Sequence, residues 1–99
     1  MYLLREDMYN EWSWENGATE IICLSNNINV IFNKLKDEIK EHKNNDRIVE
    51  IYDYENDEDI INALKEKKDI YIDIYEDSED YDNGKNMATL TITYEEVVE

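Results

Sequence analysis

Apolar and polar side chains alternate strictly over residues 69–76, which read Asp-Ile-Tyr-Ile-Asp-Ile-Tyr-Glu. Three isoleucines fall on one side of an extended chain there and the polar or phenolic residues fall on the other, because successive side chains of a strand point to opposite faces. The pattern predicts a strand with one buried face. Residues 88–95 predict another, in which Leu90, Ile92 and Tyr94 alternate with threonines.

Two stretches have the spacing of an amphipathic helix. The first covers residues 26–43, where Ser25 or an adjacent Asn can cap the start. The second covers residues 57–67, with Asn56 as the cap, acids in the first turn and lysines in the last turn, as the helix dipole favours. The apolar positions are Ile28, Ile31, Phe32, Leu35 and Ile39 in the first helix and Ile60, Ile61 and Leu64 in the second.

The first half of the chain contains one strong turn signal, Asn16-Gly17. Both residues tolerate the positive φ of a two-residue hairpin turn, so the signal predicts a hairpin between strands at 8–15 and 18–24. That register places Trp12 opposite Ile21 and Trp14 opposite Thr19. Residues 47–54 predict a further strand, and 2–5 a short extended segment.

These elements predict a single domain over residues 1–99 of the α+β class, in the order β-β-α-β-α-β-β. The two strand–helix–strand units are expected to cross over right-handedly. The result is a two-layer sandwich, a mixed sheet of four to five strands with two helices on one face. Residues 77–87 are expected to form a mobile acidic loop.

Charge changes this picture more than any other property of the chain. Twenty-six acidic residues against ten basic ones leave a formal net charge of −16 in 99 residues. Thirteen isoleucines and eight tyrosines argue against the disorder that such acidity often signals. The charge is concentrated after residue 48, whereas residues 26–47 are close to neutral. Repulsion of this size biases which partners can approach.

Enzyme and metal signatures are missing. Two glycines cannot build a phosphate-binding loop, and one Cys with one His is too few for zinc. His42 is expected to be a solvated helix residue, and Cys23 a small apolar strand residue in a reducing cytosol. The loop around Gly84 fails the EF-hand pattern, because Leu90 stands where the bidentate Glu is required. We therefore predict no catalytic residue, no metal and no cofactor.

The helix-free face of the sheet is the candidate site. It is expected to display carboxylates at strand spacing, about 6.6 Å between residues two apart, with phenol rings as contact anchors. The loop acids extend this field, which imitates the charge of a nucleic-acid backbone. The predicted partner-binding residues are Glu50, Tyr52, Asp69, Tyr71, Asp73, Tyr75, Glu76, Asp77, Glu79, Asp80 and Asp82.

The acidic tracts Glu50–Asp59 and Asp69–Asp82, in a compact α/β chain of about this length, resemble the small acidic DNA-mimic inhibitors made by phages. These include anti-CRISPR and anti-restriction proteins and uracil-DNA glycosylase inhibitors. The resemblance is one of type and transfers no residue roles. It implies a non-enzymatic inhibitor that blocks the DNA- or RNA-binding site of a bacterial defence nuclease, with a CRISPR effector as the first expectation.

Two alternatives remain open at this stage. An immunity protein or antitoxin would neutralise a basic toxin nuclease by similar physics. An acidic phage protein with a structural or housekeeping role would use its charge for solubility alone. The expected partner is a basic nucleic-acid-binding protein in the bacterial cytoplasm, with no direct contact to nucleic acid or membrane. Dimerisation is expected, if anywhere, through the near-neutral helix 26–43.

Overall fold

The computed structural model describes residues 1–9 and 16–96. Within these ranges the chain forms five strands and three helices. They are β1 (Tyr2–Tyr9), β2 (Asn16–Ser25), α1 (Ile28–Asn44), β3 (Ile48–Ile51), α2 (Asp57–Lys65), β4 (Ile70–Tyr75), α3 (Ser78–Asp82) and β5 (Ala88–Tyr94).

The strands form one sheet in the order β2-β1-β5-β4-β3, which confirms the α+β class. Every neighbouring pair is antiparallel, so the expectation of a mixed sheet was wrong, and β3–α2–β4 joins antiparallel neighbours rather than crossing over between parallel strands. The reason is that the two end strands, β1 and β5, pair in the middle of the sheet. They separate β2 from β3, and β4 returns beside β3 in the opposite direction.

One face of the sheet carries the core, as the alternation predicts. Ile70, Ile72 and Ile74 of β4 are fully buried, as are Leu90 of β5 and Leu4 of β1. Helices α1 and α2 pack on this face with their own apolar stripes and join a single hydrophobic cluster. Each such side chain contributes about 1.5–3 kcal/mol by leaving water, which opposes the repulsion of the net charge.

Side-chain caps set the starts of both long helices. The Oδ1 atom of Asn27 accepts from the backbone N of Asn29 at 2.9 Å, and α1 begins at Ile28. The Oδ1 atom of Asn56 accepts from the backbone N of Asp59 at 2.9 Å, as predicted for α2. Capping of this kind contributes about 1 kcal/mol per helix.

The predicted hairpin turn at Asn16-Gly17 was wrong. Asn16 lies inside β2 opposite Tyr9, and the partner of β2 is β1, the segment from Tyr2 to Tyr9. Ile21 is therefore opposite Arg5, and Trp12 and Trp14 lie outside the described residues. The strand expected at 8–15 begins six residues earlier, and its remaining positions, 10–15, also lie outside the described part of the chain.

A buried acid interrupts the alternation of apolar and polar residues in β1. Tyr2, Leu4 and Met8 point to the core face, and Glu6 occupies the position between them with 8% of its surface exposed. A charge at a core position breaks the alternation that a sequence pattern relies on. It persists there because His42 of α1 lies against it, with Nε2 2.7 Å from the Glu6 Oε1 atom.

His42 is 6% exposed, so the expectation of a solvated helix residue was wrong. Arg47 donates from a terminal guanidinium nitrogen to His42 Nδ1 at 3.0 Å. Since arginine has no acceptor, Nδ1 must be the accepting nitrogen, which leaves the ring proton on Nε2 for Glu6. The three side chains thus form a polar chain linking β1 to the end of α1, in which Glu6 and His42 are buried and the Nε atom of Arg47 is left without a hydrogen-bond partner among the described residues.

Replacing Glu6 by Ala should destabilise the protein by about 1–3 kcal/mol, because the Nε2–H of His42 is left buried without an acceptor. Urea unfolding gives the free energy of unfolding directly. The exposed Glu55, in the loop before α2, supplies a control with the same charge change. Equal stabilities for Glu6→Ala and Glu55→Ala would contradict this account of the buried chain.

Candidate partner-binding face

The face of the sheet opposite the helices carries the predicted binding residues of β3 and β4. Because Ile70, Ile72 and Ile74 point to the core, the residues between them point away from it. Glu50 lies opposite Asp73 across the β3–β4 pair. We call the set on this side the carboxylate–phenol face, and its members are Glu50, Tyr52, Asp69, Tyr71, Asp73 and Tyr75.

Asp73 is the centre of a hydrogen-bond network on this face. The Tyr52 hydroxyl donates to its Oδ2 atom at 2.7 Å, while Thr89 Oγ1 and Asn86 Nδ2 donate to its Oδ1 atom at 3.0 and 3.2 Å. The Tyr9 hydroxyl reaches Thr89 at 3.0 Å. Three side chains therefore donate to one carboxylate, and Tyr9 holds one of these donors in turn. Neither Asn86 nor Thr89 was predicted, because the contacts are long-range and leave no periodic signal.

Glu50 and Asp73 are two carboxylates directly opposite each other on paired strands, an arrangement that costs stability. The Tyr52 hydroxyl lies between them, 2.7 Å from Asp73 and 3.4 Å from Glu50. The Tyr75 hydroxyl is 3.5 Å from Glu50. The Tyr52 proton lies closer to Asp73 and the Tyr75 bond is long, so Glu50 keeps most of its capacity to accept a donor from outside the chain.

The tyrosine rings of the carboxylate–phenol face differ in how much of their surface is exposed to solvent. Tyr71 and Tyr52 are 50% and 38% exposed, as contact anchors should be. Tyr75 is only 6% exposed and packs edge-on against Tyr81, with ring centroids 5.1 Å apart. The predicted contact anchor Tyr75 therefore offers almost no ring surface in this structure. Its ring fastens the following acidic segment to the sheet.

The acidic segment after β4 was expected to be a loop, and its first half is instead the helix α3. The Oδ1 atom of Asp77 accepts from the backbone N of Asp80 at 2.9 Å and caps the start. Gly84, with φ at +70°, follows its end, where the backbone N of Lys85 donates to the Asp80 carbonyl at 2.9 Å. Such endings favour glycine. Four acids of the segment are exposed, and three of them take no part in the cap: Glu76, Glu79 and Asp82.

None of the predicted acids takes part in a salt bridge within residues 1–9 and 16–96. The ion pairs found there lie elsewhere, for example Lys36 with Asp57 at 3.0 Å and Arg5 with Asp7 at 3.4 Å. Hydrogen bonds orient the carboxylates of the face but do not neutralise them. Its field is therefore directed outward and is available to a basic partner.

One group of side chains elsewhere has metal-ligating chemistry. Atoms of Glu6, Glu38 and His42 lie within 4.8 Å of one another on the helix side of the sheet. The pKa of Glu38 is raised, chiefly by burial and then by the nearby Glu41 and Glu6 carboxylates. Both ring nitrogens of His42 are already engaged, so a metal would have to displace the Nε2 proton and the Arg47 bond. We interpret the group as structural.

Comparisons of the chain with protein-family models, curated proteins and solved structures give no match. No helix in the described part of the chain is long and apolar enough to cross a membrane. Function must therefore be inferred from the chemistry of the carboxylate–phenol face itself.

Substituting Tyr52 by Phe should change how stability depends on pH. The pKa of Tyr52 is raised above its ordinary value, first by the hydrogen bond to Asp73 and then by the Tyr75 phenol. A raised folded-state pKa gives stability that is full below the unfolded value of about 10 and is lost as the pH rises further. Urea unfolding at about pH 8 and about pH 11 measures this effect.

The wild-type protein should lose more stability than Tyr52→Phe between these two pH values. Phenylalanine keeps the ring and its packing, so the comparison isolates the ionisable hydroxyl. An identical loss in both proteins would show that the Tyr52–Asp73 bond does not form in solution.

Proposed function

We propose that the protein is a non-enzymatic inhibitor that occupies the nucleic-acid-binding site of a bacterial defence nuclease, with a CRISPR effector as the first candidate. The observation that carries this proposal is the set of carboxylates on one face with no ion-pair partner in the described chain. Sites that bind a phosphate backbone are rich in Lys and Arg, which supply the missing partners.

Pre-organisation supports this function. Asp73 is held by three donors, and α3 is fastened to the sheet by the Tyr75–Tyr81 contact. A rigid array of charges loses little conformational freedom on binding, so more of the interaction free energy remains as affinity. The exposed Tyr52 and Tyr71 rings add apolar contact area between the charges, and exposed phenol rings can also stack with a guanidinium.

Long-range attraction should make encounter fast and affinity strongly dependent on salt. The partner itself is identified by immobilising the protein and recovering proteins from a bacterial lysate at low salt, followed by elution with salt. A nucleic-acid-binding protein in the eluate supports the proposal. Recovery of only proteins without such a site would overturn it.

The position of the charges can be separated from their number. Neutralising the exposed acids of the α3 segment by Glu76→Gln, Glu79→Gln and Asp82→Asn should weaken inhibition about tenfold or more. The control neutralises three acids around α2 by Glu55→Gln, Glu58→Gln and Glu66→Gln, with the same change in net charge. Displacement of fluorescent target DNA from an effector–guide complex is the measurement.

The control variant should stay within about twofold of the wild type, apart from a small change in encounter rate. Equal losses in both triple variants would mean that only total charge matters, and a specific binding face would be excluded. The Asp73 and Asp77 side chains are left unchanged in this design because they hold the fold together at the sheet and at the start of α3.

Removing the Tyr71 ring by Tyr71→Thr should weaken inhibition about tenfold while leaving the unfolding free energy nearly unchanged. Threonine keeps a high strand propensity, and the ring is half exposed, so little of the core is lost. Tyr71→Phe is the matched control and should retain most of the affinity, since its hydroxyl reaches only Asp69 at 3.2 Å. Full potency of Tyr71→Thr would remove Tyr71 from the contact surface.

A further inference from the structure

The least charged part of this chain lies at one edge of the sheet. Residues 16–33 contain a single charged residue, Glu20, in a protein of which 36% of the residues are charged. They form the whole of β2 and the first turns of α1. Depletion of charge is a mark of the central part of a protein–protein interface.

β2 is an edge strand of ten residues, whereas the opposite edge, β3, has four. An edge presents a row of unpaired backbone groups, and natural proteins usually blunt it with Lys, Pro or a bulge. β2 has no Lys or Pro. It does contain two bulges against β1. Ile22 is an extra residue because Cys23 is opposite Leu4 and Ile21 is opposite Arg5, and Gly17 is an extra residue between Asn16 and Ala18.

The bulge at Ile22 brings two apolar side chains onto one face of the sheet. Residues three apart in a regular strand point to opposite faces. Here the extra residue brings Ile21 and Leu24 to the same helix-free face, opposite Arg5 and Leu3. Ile21 is 62% exposed and Leu24 is 54% exposed, the two most exposed large apolar side chains among the described residues. We call Leu3, Ile21 and Leu24 the β2 patch.

We infer that two copies of this chain pair through β2, antiparallel and about a two-fold axis, into one continuous ten-stranded sheet. Antiparallel pairing about a two-fold axis makes an edge complementary to itself, so no second type of edge is required. The apolar side chains of the β2 patch then lie beside those of the partner copy across the new strand pair.

The charge distribution suits a second copy as the occupant, because pairing through β2 keeps the acidic faces of the two copies far apart. Two chains at −16 repel each other, and β2 offers the approach with the fewest opposed carboxylates. β3 and β4 with their acids lie at the other side of the sheet, β3 being four strand spacings or about 19 Å from β2. Each acidic face is thus several Debye lengths of about 8 Å from its copy, and screening removes most of the repulsion.

The inferred dimer contact lies on β2 and not on the helix 26–43, which the charge distribution of the sequence favoured for dimerisation. α1 buries Ile31, Leu35 and Ile39 against its own sheet, so its apolar stripe is already occupied. Only Val30 in its first turn remains exposed, at 43%. The structure therefore moves the near-neutral contact surface from α1 to the neighbouring β2 edge.

Sedimentation velocity over a concentration series tests this inference. The wild type should dimerise, and the dimer should tighten as salt is raised to about 0.5 M, because repulsion is screened while apolar contact persists. This salt dependence is opposite in sign to that of the acidic face with a basic partner. The inferred dimer and the proposed binding of a basic partner can therefore be tested independently.

Ile21→Thr with Leu24→Thr should weaken the dimer about tenfold or more, since both changes keep strand propensity and remove apolar contact area. Tyr71→Thr is the control, because it removes an exposed ring near the opposite edge of the same sheet face and should leave dimerisation intact. Hydrogen exchange supplies a second readout in the unmutated protein, where β2 amides should gain protection as concentration rises.

A chain that is monomeric at about 1 mM in high salt would overturn the inference. A dimer that persists in the Ile21→Thr, Leu24→Thr double variant, with unchanged exchange in β2, would also overturn it by placing the contact elsewhere.

Discussion

The two-residue period of β4 is the constraint on which the rest of the structure depends. Three isoleucines at every second position are fully buried on one face of β4. The same period forces Tyr71, Asp73 and the ring of Tyr75 onto the other face. Core and candidate binding face are thus two consequences of one alternation, and neither can be altered by a shift of register without the other.

A net charge of −16 makes that burial necessary. Some of the acids stabilise the fold through hydrogen bonds. Asp77 caps α3, Asp73 accepts three hydrogen bonds, and Glu6 lies in the core against a histidine. Other acids lie on both sides of the sheet, on the helices as well as on the helix-free face. On the helix-free face, the fold orients the carboxylates of Glu50, Asp69 and Asp73, which have no ion-pair partner among the described residues.

The elements that depend on local chemistry were predictable. The stripe of α1, the Asn56 cap of α2 and the alternation of β4 and β5 each follow from residues close together in the chain. The grouping of Glu50, Tyr52 and Asp73 on one face also followed, because it needs only the strand period and the pairing of neighbours. Their proposed role in binding remains a prediction.

Other features depend on contacts between residues far apart in the chain. Local sequence patterns could not predict these features. Pairing of the two end strands made the sheet antiparallel throughout, since it separated strands that chain order would place side by side. Burial of Glu6 required His42, 36 residues away, and the hydrogen bonds that orient Asp73 required Thr89, 16 residues away. The sequence by itself determined which side chains share a face, because that is set by a local period. Only the tertiary structure decided which faces and edges are covered, because coverage depends on long-range packing. That packing covers one face of the sheet with α1 and α2 and leaves the β2 edge and most of the carboxylate–phenol face without a covering element among the described residues.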